Sequence, residues 1–285
     1  MSGGRCRGRV LIFWDYDTQW GLDADLARGL SVDTRTGHLE FEHTDRLLNL
    51  HAEFNVPACF AVVGAAALPG QRPYHDPEQI RRIYEAGHEV ASHGFRHEWL
   101  PGLDRRRLLD ALTLSKSALE QCLGVEVTSF VPPYNQPFDY WRKGSLSLSE
   151  RRATGRDRTT LGALCAALRE TGYSFCRVAY RPAHLRVADR LFRRCFESPS
   201  IPERIAGLTC IRLNTPGGFD GPAIAMVRRT AVDGGVAVVY GHPHSLRNGG
   251  NQDERWLRPF LQEVQDLRRD GGLEVCLPQA LSLGD

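Results

Sequence analysis

Short runs of apolar residues alternate along this chain with longer segments in which apolar positions recur at helical spacing. The runs are typical of buried strands, and the longer segments are typical of helices that cover a sheet. The predicted strands lie at 10–13, 58–63, 89–91, 127–131, 175–179, 209–213, 236–240 and 273–276. The predicted helices lie at 44–54, 77–86, 105–122, 161–171, 223–233 and 253–269. This alternation predicts an α/β protein built around a parallel sheet.

The number of strands limits the choice of architecture. About seven strands with intervening helices suit a parallel barrel or a wound sheet, and in both cases reactive side chains follow the carboxyl ends of strands. No internal repeat or low-complexity linker interrupts residues 1–285, so a single domain is predicted. Two polar segments are long for connections and are interpreted as insertions near 136–160 and 181–207.

Composition limits which binding partners and which cellular compartment are expected. The chain is 42% hydrophobic and 25% charged, with a formal net charge of +2 at pH 7, so a nucleic-acid partner is not expected. The apolar run at 10–13 is too short for a signal-peptide core, and no run has the length of a membrane helix. The 8 cysteines are scattered without a C-x-x-C pair, as is typical of a reducing compartment. A cytoplasmic protein is predicted.

Two carboxylates, Asp15 and Asp17, follow the first predicted strand. Side chains two positions apart on an extended segment face the same side, so both can reach one cavity. The alternative is that they cap a following helix, because aspartate is common at helix N-termini.

Two histidines, His93 and His97, follow the strand at 89–91. If the chain coils or starts a helix there, residues four apart share a face and both imidazoles can reach one metal ion. Two imidazoles and one carboxylate from a distant strand make up the three-ligand set of a hydrolytic metal centre with an open position.

Two further strand ends carry candidate groups. Proline rigidifies the turn Pro133-Tyr134-Asn135, so the backbone N–H of Tyr134 can be held toward the cavity. A plain rigid turn explains the same residues equally well. His242 and His244 follow the strand at 236–240, and either one is suited to be a general acid.

The candidate residues at these four strand ends, and their order along the chain, resemble the NodB-like polysaccharide deacetylases, carbohydrate esterase family four. The resemblance extends over about residues 9–280. The most specific matches are the stretch 57–64 and the segment 87–97, which is similar to the family's His-x-x-x-His metal motif. The resemblance implies a distorted parallel (β/α) barrel of about seven strands, in a divergent cytoplasmic branch. Tyr16 opens the family's usual adjacent Asp pair, a spacing that resembles the branch that deformylates lipid-linked aminoarabinose.

The resemblance also implies roles for the first two pairs of residues. Asp15 would be the catalytic base. Asp17, His93 and His97 would hold one divalent metal ion, for which zinc is expected. A water molecule activated there would attack an amide carbonyl.

The resemblance also implies roles for the remaining motifs, although this chain departs from the family pattern in places. Residues 133–135 would form the oxyanion and substrate turn, and His242 is favoured over His244 as general acid because it lies nearer the strand end. Val131 stands where the family has an arginine, and Arg177 is a candidate to replace that arginine. The acid that orients the general-acid histidine has no clear counterpart.

The implied activity is removal of an N-acyl group, expected to be acetyl, from an amino sugar. The expected substrate is a glycan precursor, such as a nucleotide-linked or lipid-linked sugar, in surface-polysaccharide biosynthesis. One alternative is a glycan-binding protein of the same fold that has lost turnover. A second alternative is a deformylase.

The two insertions suggest further contacts. Phe138, Tyr140 and Trp141 would suit a sugar-stacking lid, although an ordinary solvated loop explains them as well. The segment 184–195 would form a basic amphipathic helix suited to a membrane surface. A core-packed helix with its arginines in solvent is the alternative reading of that segment.

Overall fold

A curled sheet forms the centre of the protein in the computed structural model, which describes residues 7–30, 35–137, 159–178 and 198–282. The strands are β1 (Gly8–Tyr16), β2 (Cys59–Val62), β3 (Glu89–Ser92), β4 (Ser129–Phe130), β5 (Phe175–Val178), β6 (Glu203–Ile205), β7 (Leu208–Arg212), β8 (Val236–Gly241) and β9 (Leu273–Val275). Seven of them follow one another in the order β7-β5-β4-β3-β2-β1-β8, and every pair along this path is parallel. The predicted parallel (β/α) barrel is confirmed.

The other two strands lie outside this parallel path. β6 pairs antiparallel with β7, and β9 pairs parallel with the first residues of β1. β6 is a three-residue strand within the second predicted insertion, which explains why the hydrophobic pattern did not reveal it.

Helices connect and cover the strands. They are α1 (Thr18–Ala27), α2 (Thr36–Phe54), α3 (Pro77–Glu85), α4 (Arg105–Leu123), α5 (Leu161–Glu170), α6 (Gly221–Asp233), α7 (Glu254–Arg269) and α8 (Pro278–Ser282). Aspartate side chains cap α3, α4 and α7 by accepting backbone N–H bonds from the first turn. The six predicted helices are all present. α1 was not predicted, because its polar and apolar residues do not separate onto two faces.

The seam between β7 and β8 is bridged by side chains. Asn214 donates from Nδ2 to the carbonyl oxygen of Val236 (2.8 Å) and accepts at Oδ1 from the backbone N–H of Val238 (2.9 Å). An antiparallel bridge between Ser200 and Val236 lies beside it. The Asn214 amide thus takes the place of a backbone peptide, so the barrel is distorted at this seam.

The alternation along β1 separates two apolar cores. Val10, Ile12 and Trp14 pack with the helices outside the sheet, whereas Leu11 and Phe13 pack with residues of the other strands inside it. The next residue in the inward phase is Asp15, which is buried. The alternation along β1 therefore places Asp15 on the inner face of the barrel, near the carboxyl end of the strand.

Two predictions fall on segments outside the described residues, namely the aromatic lid at 138–141 and the amphipathic helix at 184–195. None of the helices in the described part of the chain is long and apolar enough to cross a membrane.

Candidate active site

Asp17, His93 and His97 converge at the carboxyl ends of β1 and β3. The Asp17 Oδ1 atom lies 3.2 Å from His93 Nε2 and 3.5 Å from His97 Nε2. One ligand atom from each of the three residues lies within 4.8 Å of the other two. Asp17 Oδ1 is buried and faces both imidazole nitrogens. One carboxylate and two imidazoles suit a zinc-like divalent ion that keeps an open coordination position.

A loop, and not a helix, brings the two histidines together. Beyond β3 the backbone turns at Gly94 (φ 77°) and again at His97 (φ 58°), which lies in the left-handed region. The Glu98 carboxylate ties this loop by accepting from the backbone N–H groups of Phe95 (3.0 Å) and Arg96 (2.9 Å). A side chain at Gly94 would press on Glu98 and Pro133, so the loop depends on glycine there.

The electrostatics of the cluster suit metal binding. His93 donates from Nδ1 to the carbonyl oxygen of Val131 at 2.7 Å, which directs its Nε2 at Asp17. Burial lowers the pKa of His97 to about 4, so this ring is neutral at neutral pH, as a metal ligand must be. Burial would raise the pKa of Asp17, but the two imidazoles lower it well below its usual range.

The position of Asp17 decides between two interpretations of the Asp15-Tyr16-Asp17 sequence. Asp17 occupies the N-cap position of α1, yet its side chain accepts no capping hydrogen bond. Its carboxylate turns to the two histidines instead. The metal-ligand interpretation fits this geometry, and the capping interpretation does not.

Asp15 forms a buried ion pair with Arg177. The guanidinium donates from Nη1 to Oδ1 (2.8 Å) and from Nη2 to Oδ2 (2.6 Å), and the Arg177 side chain is 0% exposed. Burial would raise the pKa of Asp15, but the charge of Arg177 lowers it. Arg177 also lies over the rings of Phe13 and Tyr240. This placement agrees with the sequence-based hypothesis that Arg177 replaces the arginine for which position 131 has valine.

The turn at 133–135 lies beside the metal-ligand cluster. Tyr134 (φ 58°) and Asn135 (φ 53°) are both left-handed, and the Tyr134 ring lies 4.5 Å from the His97 ring. Asn135 Oδ1 accepts from Arg177 Nη2 at 3.1 Å. Pro133, the first residue of the turn, lies next to Gly94. The turn therefore connects the Asp15–Arg177 pair with the metal ligands.

The rings of His242 and His244 lie 5.2 Å apart, but they contact different partners. The Gln252 amide oxygen accepts from the His242 backbone N–H (2.7 Å) and lies 3.2 Å from His242 Nδ1. His244 Nδ1 lies 3.0 Å from the carboxyl of Glu40, a fully buried residue of α2. Burial raises the pKa of Glu40 and lowers that of His244, so it favours the neutral form of both groups. His242 lines the cavity, and His244 does not.

These groups share one cavity of about 330 Å³. Its lining comprises Asp15, Asp17, Asp25, Arg28, Leu30, His93, His97, Trp99, Tyr134, Asn135, Gln136, Tyr240 and His242. Sequence reasoning did not find Gln252, nor the outer wall made by Asp25, Arg28 and Trp99. These residues belong to no motif, and only their position in the fold brings them to the site.

The comparisons with known proteins agree with this geometry. A model of the polysaccharide deacetylase family matches residues 30–148. The peptidoglycan deacetylase of Helicobacter pylori is 30% identical over 89 residues, which are 31% of this chain and 28% of that protein. The chain thus matches well under a third of that relative's length.

Two solved structures share the fold. A protein of Mycobacterium smegmatis assigned to the polysaccharide deacetylases has a TM-score of 0.61 at 20% identity, over 99% of this chain and 92% of that one. Puue allantoinase has a TM-score of 0.57 at 13% identity, over 99% of this chain and 91% of that one.

The curled parallel sheet is that of the NodB-like (β/α) barrels, and an Asp-His-His set lies at its strand ends. The chain is similar to the polysaccharide deacetylases, whose family model matches less than half of it. The matched segment 30–148 contains His93, His97 and the turn at 133–135, whereas Asp15, Asp17 and His242 lie outside it. The roles of all these residues, and a cytoplasmic branch, stay predictions.

Proposed function

We propose that the protein is a metal-dependent hydrolase that removes an N-acetyl group from an amino sugar. One observation carries the proposal. An Asp-His-His ligand set and a carboxylate held by a buried arginine line the same cavity, together with a histidine from another strand end. A site that only bound sugar would have no need of both a metal set and a separate base.

The metal-ligand set consists of Asp17, His93 and His97. When bound, a divalent ion, expected to be zinc, supplies Lewis acidity that polarises the scissile carbonyl and makes the attacking water more acidic. The Val131 carbonyl keeps the His93 ring oriented for this role.

The other residues of the site transfer protons and stabilise the negative charge that develops on the substrate. Asp15, ionised through Arg177, takes the proton from the attacking water. The Tyr134 backbone N–H donates to the oxyanion that develops on the carbonyl. His242 gives a proton to the leaving nitrogen, and Gln252 orients its ring. The neutral amide of Gln252 therefore orients the general-acid histidine, a role that an acidic residue has in the family.

Acyl release from a panel of substrates tests this proposal. The zinc-loaded protein is incubated with N-acetylated and N-formylated amino sugars, free, nucleotide-linked and lipid-linked, and released acetate and formate are measured. We expect zinc-dependent acetate release that a chelator abolishes. Formate release alone would make the protein a deformylase. Saturable sugar binding without release of either acid would make it a glycan-binding protein. The same panel tests the prediction of a nucleotide-linked or lipid-linked glycan precursor.

The two late histidines should differ sharply on substitution. We expect His242→Ala to lower kcat by about 10² or more, because a general acid is removed. His244→Ala should leave kcat near that of the wild type and lower the melting temperature, because the buried Glu40 loses its partner. Steady-state kinetics and thermal unfolding of both variants measure this. A larger loss of kcat in His244→Ala would reverse the assignment.

A further inference from the structure

The outer wall of the cavity carries an arginine that lies against two aromatic rings. The Arg28 guanidinium carbon lies 3.6 Å from the centroid of the Trp99 ring and 4.5 Å from that of Tyr134. Trp99 follows His97 by two residues, and Tyr134 belongs to the turn beside it. Stacking on aromatic faces holds a guanidinium in place and leaves the N–H groups at its edge available as donors.

One polar atom on this wall lacks a partner. Arg28 Nε is buried and makes no hydrogen bond to any described residue, whereas Asp25 and the Tyr134 hydroxyl interact with each other. No ion pair joins Arg28 to an acidic group within 4.0 Å in the described part of the chain. Buried polar groups in native proteins are nearly always paired, so a stacked guanidinium with an unpartnered Nε at the cavity wall indicates a place for an acceptor from a ligand.

The charges around the cavity favour an anion on this wall. Arg177 is neutralised by Asp15. Asp17 is shared between two histidines and would face a divalent ion. Asp25 lies on the same wall as Arg28, and burial raises its pKa, which weakens its negative charge. Among the described residues that line the cavity, Arg28 is thus the one arginine, and no described acidic group forms an ion pair with it.

We propose that Arg28 binds an anionic group, a carboxylate or a phosphate, on the amino sugar whose acyl group lies at the Asp17–His93–His97 cluster. The inference rests on the proposed function, and it specifies the substrate class as an anionic N-acylated sugar. Both groups present oxygens that match the guanidinium edge, so the chemistry of recognition is shared. Neutral N-acetylated sugars would lack this contact.

Binding of three sugars to four forms of the protein tests this inference without relying on turnover. The sugars are N-acetylglucosamine, N-acetylglucosamine 1-phosphate and N-acetylmuramic acid, which carry no charge, a phosphate and a carboxylate. The forms are the wild type with and without zinc, Arg28→Gln and Arg228→Gln. The last is a matched control because the Arg228 side chain is 63% exposed and pairs with Glu263 on the outer surface. Calorimetry gives the dissociation constants, and acetate release is recorded in parallel.

We expect at least one anionic sugar to bind about tenfold more tightly than the neutral sugar in the wild type and in Arg228→Gln. Arg28→Gln should abolish this preference, and the sugar that loses affinity shows whether phosphate or carboxylate is the ligand. Equal binding of all three sugars by the wild type, or a preference that survives in Arg28→Gln, would overturn the inference. So would the absence of measurable binding of both anionic sugars. Arg28-dependent binding without acetate release would leave the inference standing and remove the proposed function.

Discussion

Replacement of Asp15 by asparagine should lower kcat by about 10²- to 10⁴-fold, which is the usual contribution of a general base. The metal ligands Asp17, His93 and His97 are untouched, so metal content should stay at the wild-type level. Acetate release and elemental analysis of the same preparation measure the two quantities. Near-normal turnover in Asp15→Asn would transfer the role of base to another group.

The buried partner of Asp15 makes a control necessary. Arg177 is fully buried, and asparagine could accept only one of its two hydrogen bonds, because the amide nitrogen is a donor. An uncompensated buried charge costs about 3 kcal/mol or more, so Asp15→Asn should also lower the melting temperature. The double variant Asp15→Asn, Arg177→Met removes that charge and should recover stability. If turnover recovered together with stability, the loss in Asp15→Asn would be structural and not catalytic.

The double variant His93→Ala, His97→Ala should lose both the metal ion and all measurable turnover. Two of three protein ligands are removed, and Asp17 alone cannot hold a zinc-like ion against a chelator. Dialysis against chelator, reloading with zinc and elemental analysis measure the stoichiometry. Retention of one metal ion per chain by the double variant would mean that the metal lies elsewhere.

A histidine remote from the cavity provides the control for metal loss. His38 is exposed on α2 and is not among the residues that line the cavity. His38→Ala should keep one metal ion and wild-type turnover. Metal loss in this control as well would point to nonspecific binding at surface histidines.

The sequence by itself determined the features that depend on local periodicity. The period of two along β1 places Leu11, Phe13 and Asp15 on one face, because successive side chains of a strand point to opposite sides. The helical spacing of apolar residues located six helices for the same kind of reason. The rule that parallel strands present reactive groups at their carboxyl ends then predicted that Asp17, His93 and His97 meet, and they do.

Only the tertiary structure decided the contacts between distant segments. The Asp15–Arg177 pair joins residues 162 positions apart. The sequence offered Arg177 only as a candidate to replace the arginine expected at position 131, and the contact itself appears only in the fold. The choice between His242 and His244 depends on the turn after β8 and on the contacts of Gln252 and Glu40, which come from the following loop and from α2.

The wall formed by Arg28, Trp99 and Tyr134 was beyond the sequence for the same reason. Three separate segments build it, and of these only the turn with Tyr134 belongs to a motif. Periodicity reports which face of its own element a side chain occupies. The partner that the side chain meets is set by how the barrel curls and by loops whose left-handed residues, such as His97 and Tyr134, follow no repeat.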